Sequence, residues 1–155
     1  MRLPGGIQMD IRKQRGEGGQ ASMEFLFMSL FIMMLIIIFI EIIMLFYAYN
    51  VVADGAKEGV RYAITHGTMS VSPATDTTIK TAVTNYADAS GQTVSGDITI
   101  SWSNPLGVNG GAACSTPGVP GCQIKVAVSH QYRPFFGLGW PSVNLNAAAA
   151  GTVTY

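Results

Sequence analysis

The chain has 155 residues and a formal charge of zero, nine basic against nine acidic, with 48% of residues hydrophobic and only 12% charged. That length allows about one domain, and once a membrane-length apolar run is set aside, about a hundred residues remain for a small globular domain without a generous core. Beyond the apolar run there is no basic stripe interleaved with aromatics, so nucleic-acid binding has no support.

In chain order, residues 1–19 carry Arg2, Arg12, Lys13 and Arg15 against Asp10 and Glu17 and lack apolar periodicity. With Pro4 and five glycines they read as a flexible leader. From Phe25 to Tyr49 follows "FLFMSLFIMMLIIIFIEIIMLFYAY", with Glu41 its only charge. About 25 residues at ~1.5 Å each reach ~37 Å, enough to cross a hydrocarbon core of ~30 Å with some tilt. The run is too long for a cleaved secretory signal, and "FYAYNVV" offers no small-x-small site. A signal anchor fits, with the basic leader retained in the cytoplasm and the C-terminal part exported.

No proline occurs from Gln20 to Ser72, so nothing stops the helix at the membrane surface. "VVADGAKEGVRYAITHG" continues with helical spacing. Val51/Val52, Gly55/Ala56, Gly59/Val60 and Ala63/Ile64 form an apolar or small stripe, and Asp54, Lys57, Glu58 and Arg61 lie largely off it. The spacing predicts a long helix over residues 20–66, its stripe packed on the exported domain, with Gly67 as C-cap. Gly55 and Gly59 also make a G-x-x-x-G that would admit another helix; packing within the chain is the preferred reading. A second helix is expected in "ATDTTIKTAVTNYADAS", with Ile79, Val83 and Tyr86 on one face and Gly91 at its end. "TVSGDITISWS" and "QIKVAVSHQYR" alternate as strands, the latter with Ile124, Val126 and Val128 on one face. "LNAAAAGTVTY" alternates through Val153 and Tyr155, and its small residues suit contact with the long helix. Residues 67–155 thus read as an exported α+β domain of about three antiparallel strands and one further helix. There is no internal repeat.

Few residues carry candidate chemistry. Glu41 lies near the aromatic group Phe46, Tyr47 and Tyr49 at the far end of the span. Two readings stand level: an acid at the outer interface, protonated or reaching for water, or a polar contact between packed subunits. "GEGGQA" satisfies G-x-G-x-x-A, but it follows no strand and opens a membrane span, which argues against a dinucleotide site. Cys114 and Cys122 flank "STPGVPG", and in an oxidising space that pair suggests a disulfide. A zinc site adding His130 lacks the usual close ligand spacing. His66 and His130 have no recognisable nucleophile partner. The aromatics of "QYRPFFGLGW" read as core or as a partner surface, core being preferred, with Trp140 the least assigned.

The stretch "RGEGGQASMEF" raises a different possibility. Cleavage after Gly19 would make Gln20 the first residue and Glu24 the fifth, as in type IV prepilin processing. With the long apolar helix, its continuation through "AKEGVRYA" and the closing strand, the chain resembles TadE-like minor pilins of tight-adherence pili. The resemblance implies a structural pilin subunit rather than an enzyme, with no cofactor and no metal. It would be held in the bacterial inner membrane, N-terminus cytoplasmic and domain periplasmic. A prepilin peptidase would cut it at Gly19–Gln20. It would then join other pilin subunits and the assembly machinery in or at the tip of an adhesive pilus. Glu24 would compensate the new amine of a neighbouring subunit, since opposite charges attract strongly in low dielectric. A secretion-system pseudopilin would share this processing. An uncleaved single-pass protein whose exported domain binds a ligand would not.

Overall fold

The computed structural model describes residues 11–94, 97–104, 114, 117–137 and 139–154, with side chains from residue 19 onward. The chain divides after Ile40 into two units. Both draw on one helix, α1 (Ile11–Thr65). The helix starts earlier than the sequence implies, passing through Gly16, Gly18 and Gly19 where a flexible leader is expected. Each glycine costs about 1 kcal/mol against alanine, but a helix already nucleated gains a hydrogen bond with every residue added. The first ten leader residues lie outside the described residues.

In the unit that ends at Ile40, the side chains of Phe25 through Ile36, and again Phe39 and Ile40, are mostly exposed apolar groups. Among the described residues this is the single helix long and apolar enough to cross a membrane.

The second unit combines the rest of α1 with α2 (Asp76–Ala89) and three strands, β1 (Ile98–Ser103), β2 (Gln123–Tyr132) and β3 (Val143–Thr152). The sheet order is β1-β2-β3, both pairings antiparallel. This is the α+β arrangement expected, with the expected number of strands. The C-terminal strand begins earlier than anticipated, and Val153 falls just beyond it; Tyr155 lies outside the described residues.

α2 begins at a capping box, in which Thr75 accepts from the Thr78 amide and Thr78 accepts in return from the Thr75 amide. It ends in a Schellman motif: the Gln92 amide donates to Ala87 and the Gly91 amide to Asp88, with Gly91 at φ 72°. Its buried face is Ile79, Val83 and Ala87. Tyr86, expected in that face, is instead part-exposed, because the spacing of three or four from Val83 is completed by the smaller Ala87. Gly67 does not cap α1 in a left-handed turn. The chain leaves the helix through Ala74 donating to His66 and Thr68 donating to Gly118.

The core joins Val52, Ala56, Val60 and Ala63 of α1 to Ile79 and Val83 of α2 and to Ile98, Ile124, Val126 and Val128 of the sheet. Two glycines make this closeness possible. A Cβ on Gly59 would stand 2.6 Å from Val83 Cγ2, and one on Gly151 would stand 2.6 Å from Ile64 Cδ1 and 2.8 Å from Val60 Cγ1. Gly55 and Gly59 therefore serve packing within the chain, as preferred, though chiefly against α2. The small end of β3 does lie against the long helix. A second, smaller cluster of Ala48, Tyr132 and Leu145, with Leu45 beside it, extends the domain toward Glu41.

Candidate functional site

The site-bearing element is α1, and its two acids within the apolar run stand in contrasting surroundings. Gly19 and Gln20 lie within the helix, exposed, and a Cβ on Gly19 would meet nothing within 4 Å. Glu24 is also exposed, one helical turn beyond Gln20. It has no hydrogen bond or ion pair among the described residues. Among the described residues nothing packs against these three positions.

Glu41 is buried, at 6% exposure. One of its carboxylate oxygens accepts from Tyr132 Oη at 2.7 Å and from the Phe135 amide at 3.0 Å; the other accepts from the Phe136 amide at 3.4 Å. Three donors converge on two oxygens, a pattern that suits an acceptor-only group. Hydrogen bonds to a charged group contribute about 1.5–3 kcal/mol each. Glu41 thus does not reach for water: it clasps the end of β2 and the turn that follows it in its own chain. Its place follows from helix geometry. Positions 41, 45, 48 and 52 recur at the spacing of one face, so Glu41 begins the same stripe that Leu45, Ala48 and Val52 continue. From Glu41 onward the expected span is therefore covered on one side by protein.

Tyr132 is placed by strand parity. Ile124, Val126 and Val128 alternate inward on β2, and the same alternation carries His130 and Tyr132 inward at its end. Burial and then the Glu41 bond push the Tyr132 phenol up to about 12. His130 is 8% exposed, its Nδ1 has no hydrogen-bond partner, and burial lowers its pKa. It borders a hollow of about 450 Å³ together with Met44, Gln92, Arg133 and Phe135.

Cys114 and Cys122 are joined as a disulfide, Cα atoms 6.2 Å apart. The zinc reading fails on two counts. Both thiols are consumed, and His130 stands eight residues further along β2, ~26 Å at ~3.3 Å per residue. No group of three metal-ligating side chains occurs among the described residues. His66 stacks on Tyr62, centroids 4.2 Å apart, at the end of α1. "GEGGQA" lies within α1 and presents no strand-to-helix turn. The aromatics after β2, Phe135, Phe136 and Trp140, are exposed rather than core. Tyr47, in the aromatic group near Glu41, donates to the Ser90 carbonyl at 2.7 Å and ties the end of α2 to α1.

The charged residues of "AKEGVRYA" face outward in i,i+3 pairs, Lys57 with Asp54 at 2.8 Å and Arg61 with Glu58. Such exposed pairs contribute little; the motif's structural weight lies in Ala56, Gly59, Val60 and Ala63. A family model described as TadE-like protein matches residues 19–61, which takes in Gly19, Glu24, Glu41 and this motif as far as Arg61. No curated protein and no solved structure matches the chain.

Proposed function

We propose that the chain, whose residues 19–61 match a family model described as TadE-like protein, is associated with Tad pili as a pilin-like structural subunit cut between Gly19 and Gln20. It performs no catalysis of its own and is anchored by α1 in the inner membrane, its C-terminal domain on the periplasmic side. One observation carries this reading: the family match begins at Gly19, the residue before the inferred cut, and Glu24 follows at the fifth position of the product.

A peptidase takes an extended backbone into its site, and a helix must open locally to supply one. Gly16, Gly18 and Gly19 crowd that opening next to the bond to be cut, each weakening the helix by about 1 kcal/mol relative to alanine. Cleavage leaves an ammonium at Gln20, at the edge of the apolar helix. The unpartnered Glu24 carboxylate then supplies the opposite charge to a neighbouring subunit and sets the axial offset between helices.

Intact mass and N-terminal sequencing of the membrane-extracted protein, from cells with an active prepilin peptidase, test this directly. The mature chain begins at Gln20. Gly19→Leu abolishes processing without disturbing the fold, since the position has open space around it. A mature terminus elsewhere, or normal processing of Gly19→Leu, refutes the assignment.

A further inference from the structure

We propose that the β2–β3 turn is a second membrane contact, with Phe135, Phe136 and Trp140 seated in the headgroup–acyl boundary of the leaflet that α1 reaches at Glu41. The inference rests on α1 crossing the bilayer and goes beyond it, because it assigns a lipid-binding role to the exported domain.

Glu41 lies eight residues before Tyr49, where the apolar run ends, ~12 Å at ~1.5 Å per residue, and so toward the outer end of that run. The turn cannot stand elsewhere, because the amides of Phe135 and Phe136 donate to the Glu41 carboxylate at 3.0 and 3.4 Å. Only one side of α1 is occupied by this clasp. Ile42, Ile43 and Phe46 remain exposed beside it, continuing the apolar run, so the lipid that covers them extends over the clasped turn. Met44 and Phe135 border the same hollow, which joins the helix side to the turn side.

The composition of the turn fits that depth. Phe135 is 77% and Trp140 45% exposed, and Phe136 packs edge-on against Phe135 with centroids 5.2 Å apart. Aromatic rings of this kind in water would gain nothing, whereas a tryptophan at the interface buries its ring and keeps its N–H among polar groups. Arg133, exposed at the head of the turn, places a guanidinium where lipid phosphates lie. A second copy of the chain would need a shape-matched apolar face. Lipid needs only rings at the right depth and a cation above them.

The test uses the full chain in vesicles of phosphatidylethanolamine and phosphatidylglycerol, three to one, doped with lipids brominated at different depths. Trp102 and Trp140 are the two tryptophans, so Trp102→Phe isolates the residue of interest. Flotation of the protein with vesicles after an alkaline wash first establishes the span. Most of the Trp140 emission is then lost with bromines near the headgroup end of the acyl chain, less with bromines at its terminus, and aqueous iodide quenches little. Strong iodide quenching with no bromine effect overturns the inference while leaving the anchor intact. So does protection of Trp140 that appears only as protein is crowded on the vesicle, which assigns the turn to a second copy. Failure to float overturns both the anchor and the inference. If Trp102→Phe does not fold, the difference between wild type and Trp140→Phe reads the same residue.

Discussion

Glu24 and Glu41 occupy similar sequence, each an acid in apolar surroundings on the same helix, yet the region around one is bare and the region around the other is fully bonded. Among the described residues Glu24 has no partner, whereas Glu41 accepts from Tyr132 at the end of β2 and from two amides of the β2–β3 turn. An acid that its own fold satisfies is part of that fold; one left open is available to something outside it. Under the proposed function the contrast sets an acid available for assembly against one that belongs to the architecture, and the two respond to substitution in different assays.

The largest effect is expected at Glu24. Glu24→Gln leaves processing and membrane insertion intact, because no contact of the fold is lost, but excludes the subunit from filaments. The loss is of a charge needed at every repeat, about a few kcal/mol for each ammonium left unpaired in apolar surroundings. Comparing processed protein in membranes with protein in sheared surface filaments reads this. Normal incorporation would erase the distinction between the two acids.

Glu41 should behave in the opposite way. Glu41→Ala strands the Tyr132 hydroxyl and two amides, and destabilises the C-terminal domain by about 3 kcal/mol, as removal of one side of a buried charged interaction does. Glu41→Gln keeps one carbonyl acceptor and costs about 1–2 kcal/mol. Denaturation of the full chain in detergent, with chymotryptic cleavage at the exposed Phe135 as a local probe, gives both values. An unaltered midpoint for Glu41→Ala would mean that the clasp holds nothing.

The disulfide sharpens the comparison from the other end of β2. Replacing Cys114 and Cys122 by Ser removes closure of a loop of about nine residues, worth ~2–3 kcal/mol by chain entropy. Since Cys122 precedes β2 and Tyr132 ends it, the loss should add to that of Glu41→Ala without coupling. A cycle with a large interaction energy would show that the domain yields as one body.

The smallest effect is a slope with pH. The Tyr132 phenol is held up to about 12 against an ordinary 10, by burial first and by Glu41 second. The folded state therefore keeps this proton more tightly than the unfolded chain. The associated stability is fully present below pH 10 and is lost as pH rises from 10 toward 12. Tyr132→Phe removes that slope, as denaturation midpoints across this range would record.

Much of the molecule is legible along the chain. The membrane-length helix and its stripe of small residues, the paired cysteines, and the strand carrying Ile124, Val126 and Val128 all follow from periodicity and composition. These are local matters, settled by which residues recur at 3.6 or at 2 along one segment. The exposure of Glu24 belongs with them, since a surface helix position keeps the properties its sequence implies. The fate of Glu41 does not. Its stripe could be traced back from Val52, and the parity of β2 carried forward to Tyr132, yet neither pattern contains the other. That a carboxylate on α1 meets a hydroxyl 91 residues later depends on the domain closing over the helix. Only then do three donors arrive at one acid, because hydrogen bonds of this kind are fixed by position in space and leave no period in the chain.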